Sequence, residues 1–187
     1  MPQTVDAIKA SFRELLKTTT FDKISISDIC KRAEVSRKSF YKHFASKEDI
    51  IEAQIHEDMV QPTKDLRKLL PLEQIKSSPL LATEQFHVRI YNNRDFYQNL
   101  LEHFGKAPLV EIITRQITNL NQEIFSTYGF EEDELRFMCH YLGAVQAMMI
   151  SWWLEGNLDI EAKQFAGLMN DWSFARFREL DREHNAW

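Results

Sequence analysis

Ser25, Ser36 and Ser46 constrain this chain more than any other feature. A serine just ahead of a helix accepts a hydrogen bond from a backbone N–H of the first turn, so each of these residues reads as a helix start. Asp28 and Asp49, each three residues on, complete a capping-box pattern for two of them. Three starts this close together leave room only for short helices and tight turns. The sequence predicts a helix from Ser25 to about Ala33 that buries Ile26, Ile29 and Ala33, then a turn at Glu34-Val35. A third helix over 37–44 and a longer one from Lys47 follow. Ahead of them, Ile8, Phe12, Leu15 and Leu16 recur at helical spacing, which predicts a first helix over 3–18.

The rest of the 187 residues supports an all-α fold. Only five Gly and five Pro are present, too few for a turn-rich sandwich or barrel. Apolar residues make up 44% of the chain, enough for a real core. No run of 18 apolar residues occurs, and the N-terminal stretch has no signal-peptide pattern, so a cytoplasmic protein without membrane association is expected. Cys30 and Cys139 lie in separate segments and predict no disulfide. Met138-Cys139-His140 sets Cys beside His, but neighbouring helical residues diverge and no second pair has zinc spacing, so no metal and no cofactor are expected. No nucleophile elbow or Gly-rich phosphate loop is present, and an enzyme is not expected.

The net charge of −5 is unevenly placed. Residues 1–61 hold ten Lys/Arg and ten Asp/Glu, so residues 62–187 carry the whole excess. Residues 23–47 hold seven Lys/Arg against Asp28 and Glu34. That local excess suits phosphate binding, while the acidic remainder discourages indiscriminate contact. On the third helix Phe40 and Phe44 face inward with Val35. Arg37, Lys38, Ser39, Tyr41, Lys42 and His43 take the outer side and flanks. Such a helix can enter a DNA major groove, where Arg, Lys and Ser reach base edges. Tyr41, Lys42 and His43 suit phosphates at the groove edge, and Lys47 stands at a helix N-terminus that attracts phosphate.

Residues 5–58 resemble the DNA-binding domain of the TetR family of transcriptional regulators. The resemblance lies in Ile24-Ser25-Ile26, Asp28-Ile29, Ala33, Val35-Ser36-Arg37, Phe40-Tyr41-Lys42-His43-Phe44 and Ser46-Lys47-Glu48. It implies a recognition helix over 37–43, with Tyr41, His43 and Lys47 on phosphates and Ser25 and Ser36 at the DNA surface. Glu34 and Lys38 stand where the family often has Gly, and Lys38 prevents an operator from being inferred from a relative. The resemblance further implies a helix-turn-helix domain over 1–46 and a larger helical regulatory and dimerisation domain over 47–187. Residues 142–156 are similar to one branch of the family, related to the activator of dihydroxyacetone-kinase operons.

Pro62 is expected to end or kink the helix from Lys47, with a short amphipathic piece over 63–70 and a connector bounded by Pro71 and Pro79. Helices are expected over 80–92, 94–104, 108–127, 131–155 and 160–182. The 131–155 helix is apolar nearly all round, which calls for burial on two sides. Leu142, Val145, Met149 and Trp153, with Phe165, Leu168 and Trp172 of the last helix, are expected to form a homodimer interface. His87, Tyr91, Phe104, Phe137, Tyr141 and Met148 are candidates to line a pocket for a small-molecule effector. The expected function is a repressor that binds a palindromic operator in double-stranded DNA and is released by that effector. The alternative is a coactivator whose effector is a partner protein.

Overall fold

A computed structural model of the chain describes residues 2–69, 79–126 and 129–173. Every regular element among them is helical. The N-terminal unit holds α1 (Pro2–Leu16), a 3-10 turn (Phe21–Lys23), α2 (Ile26–Arg32) and α3 (Arg37–Tyr41). Ser25 and Ser36 cap their helices as the serine spacing implies, whereas the helix after Ser46 starts one residue later, with Lys47 at the N-cap and no side-chain cap bond from it. The Asp28 N–H donates to the Ser25 hydroxyl at 3.1 Å while the Ser25 N–H donates to the Asp28 carboxylate at 3.1 Å. The Ser39 N–H donates to the Ser36 hydroxyl at 3.0 Å. At the next start the Asp49 N–H donates to the Ser46 hydroxyl at 3.3 Å, and Asp49 accepts the Ala45 N–H at 2.7 Å. The Ser25 and Ser46 hydroxyls in turn donate to the Asp28 and Asp49 carboxylates, and these bonds, with those from the backbone N–H groups, hold both carboxyls below their ordinary range because they favour the ionised form.

The turn between α2 and α3 closes through two bonds, Val35 N–H to Cys30 C=O at 3.0 Å and Glu34 N–H to Lys31 C=O at 3.4 Å. This pairing is a Schellman motif with Glu34 in the left-handed position, at φ 55°. Helix α3 stops at Tyr41, short of the expected Phe44. The Phe44 N–H still bonds the Phe40 carbonyl at 3.0 Å, so Phe44 is carried inward and buried with Phe40.

A helical rod leaves this unit. It consists of α4 (Glu48–Ile55), a π turn (His56–Val60) and α5 (Gln61–Leu69). The expected break at Pro62 does not occur. Proline lacks an N–H and crowds the carbonyl four residues back. The π turn widens the helix just before it, with the Gln61 N–H reaching back to the His56 carbonyl. The Thr63 hydroxyl donates to the Met59 carbonyl at 3.4 Å. The expected piece over 63–70 is therefore, through Leu69, part of one rod, and the connector expected after Pro71 lies outside the described residues.

The larger unit adds α6 (Pro79–Asn92), α7 (Arg94–His103), α8 (Lys106–Phe125), α9 (Glu132–Trp152), a second π turn (Trp153–Asn157) and α10 (Ala162–Ser173). The expected last helix reached to 182, and its part beyond Ser173 lies outside the described residues. α8 packs along α9, and α6 along α10. A methyl group at Gly143 of α9 would lie 2.4 Å from the Thr118 hydroxyl and 2.9 Å from the Thr114 carbonyl on α8, so the two backbones approach at that point.

The core runs unbroken across the expected boundary at residues 46 and 47. Phe12 meets Phe21 and Phe96 edge-on at 6.2 and 6.4 Å, and Phe21 meets Phe104 at 4.6 Å. Phe104, expected to line a pocket, thus joins the N-terminal unit to α7.

The two apolar faces of α9 are arranged opposite to expectation. Leu142, Trp153 and Phe165, expected at a dimer interface, are 1%, 5% and 1% exposed and belong to the chain's own core. Trp153 stacks between Tyr91 at 5.5 Å and Phe165 at 4.3 Å, and its indole N–H donates to the Ile160 carbonyl. Phe137, Tyr141 and Met148, expected inside a pocket, stand on the surface. His87 and Tyr91 are packed in the aromatic cluster with Trp153 and Phe165. The reason is the close approach at Gly143, which turns Cys139, Gly143, Ala147 and Ser151 towards the interior and leaves Phe137, Tyr141, Met148 and Trp152 outward.

Candidate DNA-binding interface

Helix α3 is built to present one face. Phe40 is fully buried and its ring meets Tyr41 edge-on at 5.5 Å, while Ser36 closes the N-terminal end. Arg37, Lys38, Tyr41, Lys42 and His43 are all exposed, and Ser39 is half-buried. The Tyr41 hydroxyl beside the Arg37 guanidinium favours its charged form and raises its pKa further. No acidic side chain forms an ion pair with Arg37, Lys38 or Lys42 among the described residues. The result is a compact cationic surface with hydroxyl and imidazole donors, complementary to phosphate and to the acceptor-rich edge of guanine.

Two expected contacts have other roles. The Lys47 ammonium donates to the Phe21 carbonyl at 2.6 Å and the Ile24 carbonyl at 3.0 Å, and sits 4.1 Å over the Phe21 ring. It is a strut between the start of α4 and the 3-10 turn, not a free cation aimed at DNA. The Ser25 hydroxyl accepts from Asp28 N–H and gives its own hydrogen to the Asp28 carboxylate, so it keeps none for a phosphate. The Ser36 hydroxyl accepts the Ser39 N–H and retains its hydrogen for an external acceptor.

A second surface is apolar. Phe137, Tyr141, Met148 and Trp152 follow one another along α9, with Ala144 and Val145 half-buried between them. Leu168 and Trp172 continue the patch on α10, with Trp172 86% exposed. The Phe137 and Tyr141 rings stack at 6.3 Å. Val145 and Met149, expected at the interface, are half-buried against the core edge.

A third feature is an open cleft of about 260 Å³ between the rod and α8. The Arg115–Glu52 ion pair (2.6 Å) and the Lys64–Glu123 ion pair (2.6 Å) cross it, and His56 lies on its wall. Serine capping and basic composition made α3 legible from sequence, whereas this cleft left no motif, because its residues come from distant helices.

Burial pushes the Cys139 thiol up to about 11 and raises that of Cys30, so neither is a ready thiolate. No helix of the described residues is long and apolar enough to cross a membrane.

Comparison with known proteins agrees with this geometry. Residues 10–53 match the bacterial regulatory proteins of the tetR family, and residues 79–173 match a transcriptional regulator C-terminal region. The chain is 24% identical over 147 residues to the HTH-type dhaKLM operon transcriptional activator DhaS of Lactococcus lactis subsp. lactis (strain IL1403), covering 75% of this chain and 74% of that relative. Its fold is similar to the solved dihydroxyacetone kinase operon activator DhaS (TM-score 0.60, 18% identity, 94% of this chain and 96% of that one). It is also similar to NalD, the secondary repressor of the MexAB-OprM multidrug efflux pump in Pseudomonas aeruginosa (TM-score 0.58, 15% identity, 94% and 97%). With its capped helix-turn-helix, exposed basic α3 and helical C-terminal region, the chain belongs to the TetR family of transcriptional regulators.

Proposed function

We propose that this regulator is a homodimer that binds a palindromic operator through two copies of α3 and represses transcription until a small-molecule effector releases it. The exposed face of Arg37, Lys38, Tyr41, Lys42 and His43 carries the DNA-binding part of the reading. The dimer is supported by the apolar stripe on α9 and α10, which is larger in aromatic content than a monomer surface normally leaves to water. Packing that stripe against its symmetry copy gives a self-complementary two-fold contact. The recognition helices then address successive major-groove faces about 34–36 Å apart, or a small multiple of that distance.

The effector is assigned to the polar cleft between the rod and α8, where binding would change how the rod lies on the larger unit. An effector acts only through its different affinity for the two orientations. The second reading, a coactivator whose effector is a protein, is favoured by similarity to an activator.

Selection of bound duplexes from a random pool tests the function. A two-fold symmetric site is expected, with binding lost in Arg37→Ala while the dimer mass persists. Recovery of no enriched site, or full affinity in Arg37→Ala, overturns the assignment of α3. Trp172→Glu is expected to give monomers, and an unchanged mass removes the α10 stripe from the interface.

A further inference from the structure

The corner between α6 and α7 holds Asn93, whose single amide touches two other parts of the molecule. Its Nδ2 donates to both carboxylate oxygens of Asp58, at 3.1 and 3.2 Å. Its Oδ1 accepts from the Arg13 guanidinium at 3.0 Å. Asp58 lies in the π turn of the rod, and Arg13 on α1 of the DNA-binding unit. Asp58 is only 4% exposed and also accepts from Gln54 Nε2 at 3.0 Å and the Tyr97 hydroxyl at 2.9 Å. The Arg13 guanidinium carbon lies over the Phe96 ring, 4.7 Å from its centroid. Around the joint, Lys9 of α1 pairs with Glu57, and Arg89 of α6 donates to the Glu57 carbonyl at 3.3 Å.

A buried carboxylate is a costly way to hold helices together, and apolar packing would do so with less desolvation. What directional bonds add is position. Serving a carboxylate and a guanidinium together needs a donor and an acceptor on one side chain, and a primary amide holds both on one rigid plane. Besides the Phe21–Phe104 contact, α3 is tied to the larger unit by α1, which packs on α2, and by the rod, which follows α3 in the chain. Asn93 bonds both.

We propose that Asn93 is a positioning residue that clamps α1 and the π turn of the rod to the α6–α7 corner, and so sets the orientation of α3 on the regulatory body. This rests on the reading of α3 as the DNA-reading helix. With the clamp intact, α1 and the rod move together or not at all. With it cut, α3 samples many orientations, and apparent operator affinity falls in proportion to the fraction still competent.

The distance is read on the full chain carrying spin labels at Lys42→Cys and Glu134→Cys, diluted with unlabelled chain so that each pair reports one protomer, and operator binding is read on chains that keep Lys42 and Glu134. Cys30 and Cys139 are buried and stay unlabelled. The intact clamp is expected to give one narrow distance. Asn93→Asp, which sets a carboxylate against Asp58, is expected to broaden it and to weaken operator binding roughly tenfold, the drop if one molecule in ten stays competent. The exchanged pair Asn93→Asp with Asp58→Asn again offers a donor to the carboxylate and an acceptor to Arg13, and is expected to restore both readouts. Asn93→Leu, which removes both bonds without adding charge, decides the matter if Asn93→Asp does not fold. A wild-type distance distribution in Asn93→Leu overturns the clamp, as does failure of the exchanged pair to narrow it. If the unaltered protein selects no DNA, the reading of α3 fails separately, because the distance measurement needs no DNA.

Discussion

Glu34 and Asp58 show how much a single residue decides. Glu34 holds φ 55° in the turn between α2 and α3 and is exposed there. An L-residue in that region costs roughly 1–2 kcal/mol, partly offset by the greater freedom glycine has when unfolded. Glu34→Gly is therefore expected to stabilise the protein by roughly 0.5–1 kcal/mol, read as a higher midpoint in urea, with the slope unchanged. Asp58 has a pKa raised chiefly by burial, against the bonds from Gln54 and Tyr97 and the charge of Arg13, which lower it. The folded state thus holds this proton more tightly than the unfolded chain does. Its contribution is fully present below the ordinary Asp pKa and is lost as pH rises through the raised value. Relative to Asp58→Asn, the wild type is expected to lose stability with rising pH across that interval. Denaturant titrations of both proteins at several pH values check this, and a wild type that gains stability relative to Asp58→Asn as pH rises refutes it.

Among the elements, the short helices were the most legible and the long ones the least. Ser25, Ser36 and Ser46 announce helix starts because a cap is a local bond, written within three residues. Pro62 misled because its effect depends on the turn before it, and the widening over His56–Val60 has no local signature. On α9 the large apolar residues occur on both faces, so hydrophobicity alone could not tell interior from surface. The informative signal was size. Cys139, Gly143, Ala147 and Ser151 are small and four apart, the ridge along which another helix can approach closely. Gly143→Ala is the sharp test of that ridge. The added methyl meets the Thr114 carbonyl, which is backbone and cannot rotate away. A loss of roughly 1–3 kcal/mol is expected despite alanine's better helix propensity, because overpacking at a close contact shifts whole helices. Thermal unfolding measures it, and an unchanged midpoint shows that α8 and α9 have slack there.

For the whole molecule the charge distribution matters more than the total. The −5 lies beyond residue 61, while the basic excess gathers around α3. DNA binding by this face releases counterions, and the logarithm of affinity falls with that of salt by roughly 0.9 per phosphate contact. Sequence pattern alone treats Lys42 and Lys47 as equivalent phosphate ligands, but the structure separates them. Lys42 is exposed with no ion-pair partner among the described residues, whereas Lys47 is bonded to the carbonyls of Phe21 and Ile24. A dimer carries each residue twice. Lys42→Ala is therefore expected to lower the salt slope by about 1.8, two contacts at roughly 0.9 each, with stability unaltered. Lys47→Ala is expected to leave the slope in place and to lower the unfolding midpoint instead, because two carbonyls lose their donor. Operator titrations over a range of potassium chloride, paired with thermal unfolding, distinguish the two. A slope lowered by Lys47→Ala as much as by Lys42→Ala would mean that the ammonium leaves its carbonyls for phosphate when DNA binds.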